Sequence, residues 1–246
     1  MCSKKFGIPL ILYALLFLWQ PLQAQDQKTF NNQGVLWSSV NGSVQWNERW
    51  QSNIQIQHRL FFDPKGQYQL LTILNSLYSL PKLNASIGGG YTSFFFRISV
   101  SGEEDHLVVP ELRPFQFFIY KVKREKSTLT FRMVAEERWI RNFAGKELTN
   151  GHTFNLRLRF LADLEIPLKA GESGFQPAIK ISVEPMVRFF SGNRFEQQRT
   201  IAGFNLKMNS KSGFFIGYMH WLFNRDGLFD FDNRHVALLG LNYKLK

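Results

Sequence analysis

Charged side chains recur two apart along this chain: Glu111 and Arg113, Glu136 and Arg138, Arg157 and Arg159. On an extended backbone, residues i and i+2 share a face, so each set projects from one side of a strand. Arg132, Glu165, Glu184, Arg188 and Arg199 fall on similar polar faces. Glu111, Arg113 and Gln116 join them if Pro114 marks a bulge. An arginine fork beside a carboxylate pairs through two parallel hydrogen bonds. Arginine in excess over carboxylate attracts anions instead. These residue types therefore support ion pairing and anion binding.

Other chemistry is poorly represented. The histidines are His58, His106, His152, His220 and His235. No pair has metal-ligand spacing, and no serine stands in a nucleophile-elbow context. His58 shares the face of Ile54 and Ile56, and His235 that of Leu239 and Leu241, which suits an apolar body with a polar tip at an interface. His106 follows Glu103-Glu104-Asp105 and reads as part of a charged, solvated loop. Gly88-Gly89-Gly90 lacks the strand-to-helix setting of a phosphate loop. No catalytic residue, metal ligand or cofactor is expected.

The elements that carry the charges read as strands. Beyond residue 24 no segment keeps a helical period for three turns. Extended runs of roughly ten to fourteen residues alternate with Gly, Pro, Asn, Asp and Ser, a length that suits tilted membrane strands. In 154–167, Phe154, Leu156, Leu158, Phe160, Ala162 and Leu164 oppose Asn155, Arg157, Arg159, Asp163 and Glu165, with Leu161 out of phase. Similar period-2 alternation marks 129–140, 178–189 and 50–60. Weaker runs cover 35–45, 68–80, 83–96, 111–122, 195–208, 213–224 and 234–245. Pro114 and the glycine triplet predict bulges or bends. About eleven runs emerge, and bacterial single-chain barrels use even numbers. The expected fold is thus a closed, antiparallel, up-and-down barrel of about twelve strands, or ten. Its longer connections are 97–110, 141–151 and 225–233. Trp37, Trp46, Trp50, Trp139 and Trp221, with Tyr78, Tyr120, Tyr218 and Tyr243, suit aromatic girdles at two interfaces.

Compartment follows from the N-terminus. Lys4 and Lys5 precede the apolar run 8–19, and Leu22-Gln23-Ala24 fits a signal-peptidase site. The expected division is a signal peptide at 1–24 and one barrel domain at 25–246. Removing Cys2 with that signal leaves no cysteine, which excludes disulfides and thiol chemistry. Removing Lys4 and Lys5 from the 30 Lys and Arg leaves 28 against 19 Asp and Glu, a formal +9. In an exported protein that charge suits lipopolysaccharide or an internal cavity, and nucleic acid is not expected as a partner. Aromatic residues make up 15% of the chain, with 25 Phe, yet the mean hydropathy is −0.20. A barrel with one apolar and one polar face reconciles those values. Gly240, Tyr243 and Leu245 resemble the signal read by the outer-membrane assembly machinery.

The order of several short motifs carries a resemblance. They are Glu111-Leu112-Arg113-Pro114-Phe115-Gln116, Glu136-Glu137-Arg138, Leu156-Arg157-Leu158-Arg159-Phe160, Val183-Glu184-Pro185-Met186 and Gln197-Gln198-Arg199-Thr200, with Trp37 and Arg59 earlier. In this order the chain resembles the outer-membrane barrel family catalogued as domain of unknown function 2490, common in Bacteroidota. The resemblance implies a barrel in the outer membrane and supplies no catalytic residues. The function expected is an outer-membrane barrel with an Arg/Glu-rich lumen, as a narrow pore or a site for a small anionic solute of unknown identity. Alternatives are a purely structural envelope barrel, a lipid-modifying enzyme and a soluble periplasmic lipocalin-like binder.

Overall fold

A computed structural model describes residues 29–62, 68–99, 106–169, 175–190, 194–225 and 230–245. The expected signal peptide lies outside them. The strands are β1 (Thr29–Gln45), β2 (Trp50–Phe61), β3 (Tyr68–Leu80), β4 (Ala85–Ser99), β5 (His106–Lys123) and β6 (Thr128–Ala144). They continue with β7 (Glu147–Pro167), β8 (Gln176–Phe189), β9 (Phe195–Lys207), β10 (Ser212–Asn224) and β11 (Asp230–Lys244). Each pairs with its sequence neighbours, and β1 meets β11 to close the barrel.

Among the described residues the count is eleven rather than about twelve, and the eleven runs visible in the sequence are these eleven strands. An odd number leaves the first and last strands pointing the same way. They pair in parallel, from Thr29 opposite Asp230 to Ser43 opposite Lys244. Every other pairing is antiparallel. Closure leaves no edge strand, so the backbone of the wall is satisfied by its neighbours.

Alternation places the side chains as the period demands. On β7, Asn155, Arg157, Arg159, Leu161 and Asp163 face the lumen, while Phe154, Leu156, Leu158 and Phe160 face out. Ile54, Leu74, Phe118, Phe160, Ile181, Phe204 and Leu241 are among many large apolar side chains exposed outward. The weak runs have a physical explanation: their inward face is apolar too. Val35, Phe61, Met219, Trp221, Val236 and Leu238 pack inside the barrel from β1, β2, β10 and β11. Two apolar faces erase the period that sequence reading relies on.

Neither expected bulge in β4 and β5 exists. Pairing runs unbroken through Gly88-Gly89-Gly90 on both sides of β4. The offset between β5 and β6 is the same before and after Pro114. The glycines serve close approach instead. A Cβ at Gly88 would lie 2.4 Å from the Phe117 ring, and one at Gly90 would lie 2.7 Å from the Phe115 ring. Each ring covers the bare backbone of the neighbouring strand, a pairing known to stabilise strand glycines.

The connections also differ from expectation. The segment 141–151 is strand almost throughout, turning at Gly145 and Lys146. Gly145 has φ +57°, which a two-residue hairpin turn with glycine first requires. His106 begins β5 rather than sitting in a loop. The strand ends that succeed one another from β1 to β2, β3 to β4, β5 to β6, β7 to β8 and β9 to β10 mark one rim, here the lower. Those from β2 to β3, β4 to β5, β6 to β7, β8 to β9 and β10 to β11 mark the upper. The numbers of residues between successive strands overlap for the two rims, so length does not distinguish the ends.

Candidate functional site

The charged residues picked out by spacing converge in the upper half of the lumen. Glu111 accepts two arginine forks, from Arg113 Nε and Nη2 at 2.6 and 2.8 Å and from Arg138 Nε and Nη2 at 2.5 and 3.1 Å. Arg138 Nη1 then reaches Glu196 at 2.6 Å, and Glu196 meets Arg157 Nη1 at 3.3 Å. Arg157 and Arg159 share Glu136, with Arg157 Nε and Arg159 Nη1 each at 2.6 Å. Arg159 continues to Glu184 at 2.7 Å, where Arg132 at 2.9 Å and Arg199 at 3.5 Å end the sequence. Cation and carboxylate alternate along the whole chain. Burying a charge costs several kcal/mol unless partners replace its water, and alternation provides them.

Register explains the connectivity. Glu136 stands opposite Arg157, whereas Arg138 stands opposite Asn155 and Arg159 opposite Val134. From that position Glu136 bridges both β7 arginines. Glu111, Glu196 and Gln197 are at most 2% exposed, so protein fills the lumen at their level.

The remaining spacing candidates fall elsewhere. Glu165 lies lower and accepts a hydrogen bond from Asn205 at 2.6 Å. Arg188 is half-buried on the inward face of β8. Gln116 is exposed on the outward face, because without a bulge at Pro114 it alternates away from Glu111 and Arg113. Phe115 takes the lumenal place beside it.

Sequence reading missed Glu196. Arg199 and Gln197 point inward, so simple alternation turns Glu196 out. A bulge intervenes: Met186 pairs with Gln197, and Val187 with Phe195. The extra residue lets Glu196 and Gln197 both face the lumen, each 2% exposed. No residue type in 195–199 announces that bulge.

Arg59, which the spacing of charges does not single out, forms a second feature with two tryptophans. Its guanidinium carbon lies 3.5 Å from the Trp37 ring centroid. Arg199 sits 5.2 Å from Trp37 and 4.9 Å from Trp221, and Arg234 sits 4.4 Å from Trp221. Trp37 and Trp221 thus belong to the interior, not to an interfacial girdle. Trp50 and Trp139 are exposed on the outer face. Among the described residues Arg59 forms no ion pair; its hydrogen bonds go to the amides of Gln57 at 2.8 Å and Gln69 at 3.0 Å. Among the described residues the Nε–H groups of Arg59 and Arg199 meet no acceptor.

Below the ion-pair chain lies a cavity of about 490 Å³. Seven cationic side chains line it (Arg59, Arg113, Arg132, Arg157, Arg159, Lys180, Arg199), against the carboxylates Glu136, Asp163 and Glu184. It adjoins a hollow of about 610 Å³ at the lower rim, and the two share Asn53, Gln55 and Asn75. That hollow carries Lys207, Lys211 and Lys244 and no acidic side chain. The whole approach is electropositive.

Among the described residues, no three His, Cys, Asp or Glu side chains converge as metal ligands. His220 and His235 point outward at the upper end of β10 and β11. His220 Nε2 donates to Asn233 Oδ1 at 2.5 Å, and Tyr218 hydroxyl shares a hydrogen bond with His235 Nδ1 at 2.7 Å. No serine nucleophile joins them in those bonds.

No curated protein compared with the chain matches it. A family model does, described as protein of unknown function (DUF2490), over residues 34–231. The match spans β1 to the start of β11 and takes in every member of the ion-pair chain. This closed barrel with its buried Arg/Glu network therefore belongs to the DUF2490 family.

Proposed function

We propose that this protein resides in the bacterial outer membrane and uses its lumen as a dead-end binding cavity for small anions, entered from the lower rim. One observation carries the reading: a cavity with seven cations and three carboxylates, reached through a lysine-lined mouth and stopped above by buried ion pairs. Field lines focused by such walls concentrate anions. Filling by Glu111, Glu196 and Gln197 argues for a pocket over a through pore.

Membrane residence rests on the outward face. Its large apolar side chains, such as Ile56 at 48%, Leu74 at 49% and Phe204 at 47% exposed, form a surface that soluble proteins seldom leave bare. Lipid, as the neighbour of such a face, demands a closed wall. No helix among the described residues is long and apolar enough to cross a membrane, so strands would do so. Export would follow from the signal peptide at 1–24. Tyr243 and Leu245, exposed near the end of β11, suit contact with the assembly machinery, and the basic surplus suits lipopolysaccharide.

The test combines location and selectivity. Carbonate-washed membranes should retain the protein, and planar bilayers containing it should show no steady conductance. Quenching of tryptophan fluorescence should saturate with iodide and not with caesium. Steady cation-selective current, or recovery of the chain in the soluble periplasmic fraction, would refute the proposal. A purely structural barrel is the second reading, favoured by the completeness of the ion pairing, and it predicts no saturable anion effect.

A further inference from the structure

Resting on the reading of the lumen as an anion cavity, we infer that its ligand is an amphiphilic anion, a carboxylate, sulfonate or phosphate bearing a compact apolar body. The head seat is Arg59 and Arg199, gathered around Trp37. Both are more than nine-tenths buried and both line the cavity. Among the described residues Arg59 has amide hydrogen-bond partners only, and the ion pair of Arg199 with Glu184 is long at 3.5 Å. A buried cation without a counter-charge is unfavourable by several kcal/mol, so an anion entering here replaces solvation that the protein does not supply. The Trp37 ring lies within cation–π reach of both, 3.5 Å from the Arg59 guanidinium carbon and 5.2 Å from that of Arg199.

The body seat begins directly beneath. Gln57, two residues below Arg59, pairs with Leu71, and Gln55 pairs with Ile73. Leu71, Ile73 and Leu77 of β3 line the same cavity as Phe115, Phe117 and Ile119 of β5. Between those strands β4 contributes Gly88 and Gly90, over which the two phenylalanine rings lie. The result is a smooth apolar wall facing the charged wall of β6 to β9. A site for a simple inorganic anion needs no such wall. Its division into a cationic end and an apolar side is the arrangement of pockets that take amphiphiles, and about 490 Å³ falls in the usual range for small organic ligands.

The experiment uses the full chain in phosphatidylcholine nanodiscs, with empty nanodiscs subtracted, and isothermal titration of four probes. 4-Phenylbutyrate carries both features, butyrate and inorganic phosphate carry charge alone, and 4-phenyl-1-butanol carries the body alone. Phenylbutyrate should bind at least tenfold more tightly than each of the others. Arg59→Gln and Arg199→Gln should each weaken it about tenfold. Ile73→Asn should weaken phenylbutyrate and leave butyrate unchanged. Equal affinity for butyrate, phosphate and phenylbutyrate would overturn the amphiphile while leaving the anion cavity standing. Phenylbutanol binding as tightly as phenylbutyrate would overturn the arginine seat. No binding of any anion to the unaltered protein would overturn both.

Discussion

Glu196 joins Arg138 and Arg157, which stand on β6 and β7, to a strand that touches neither of theirs. Its carboxylate sits where two guanidinium groups would otherwise face each other in a space closed to water. Neutralising it leaves two buried arginines with one fewer counter-charge. Glu196→Gln should therefore lower stability by about 3 kcal/mol, the scale for breaking a buried pair. Gln116→Ala, on the outward face four strands away, should change it by less than about 0.5 kcal/mol. Urea unfolding followed by tryptophan fluorescence measures both, and equal midpoints would contradict the placement. Arg157 belongs to the same argument from the other side. Held by Glu136 and Glu196 together, it bridges two carboxylates, as Arg138 and Arg159 also do.

At the scale of the strand, glycine does more here than relax the backbone. Gly90 gives Phe115 the room to lie flat against β4. An added methyl would meet Leu74 O at 2.2 Å and the Phe115 ring at 2.7 Å, and the carbonyl cannot yield. Gly90→Ala should cost about 1–3 kcal/mol as overpacking. Gly213 provides the control, since its nearest neighbour would be Leu206 O at 3.4 Å, ordinary contact. Gly213→Ala should leave the thermal midpoint within a few degrees. Comparing the temperatures at which each variant loses its compact mobility on unboiled gels checks the pair. The β9 bulge acts at this same scale, since one additional residue rotates a carboxylate from the outside to the inside.

For the whole molecule the defining feature is the parallel seam. Asn41 of β1 stands opposite Asn242 of β11, with Asn41 Nδ2 donating to Asn242 Oδ1 at 2.9 Å. Asn41→Cys combined with Asn242→Cys, in a chain whose Cys2 is replaced by Ser, should form a disulfide on mild oxidation. Such a bond would leave the folded barrel intact and slow the migration change on heating. A twelfth strand between β1 and β11 would hold the two positions too far apart, and no bond would form. Charge is also distributed at this scale. The linked Arg/Glu ion pairs gather on the β5 to β9 side, the aromatic and aliphatic cluster on the β1, β2, β10 and β11 side, where Arg234 pairs separately with Asp232. The cavity lies where the two meet.

Much of this was legible in the residues. Period-2 alternation in 50–60, 129–140, 154–167 and 178–189 identified both the strand class and the inward face, because every second side chain must share a surface. Eleven extended runs were visible, and the rule of even strand numbers moved the expectation to about twelve. Three things came only from the tertiary structure. Strand parity was settled by which ends meet, a contact between residues about 200 positions apart. The inward turn of Glu196 and the outward turn of Gln116 depended on where bulges form, and bulges are set by the partner strand. The positions of Trp37 and Trp221 depended on which wall their strands joined. Periodicity specifies a face relative to its own strand, whereas lumen, seam and cavity exist only between strands, so their chemistry is decided when the barrel closes.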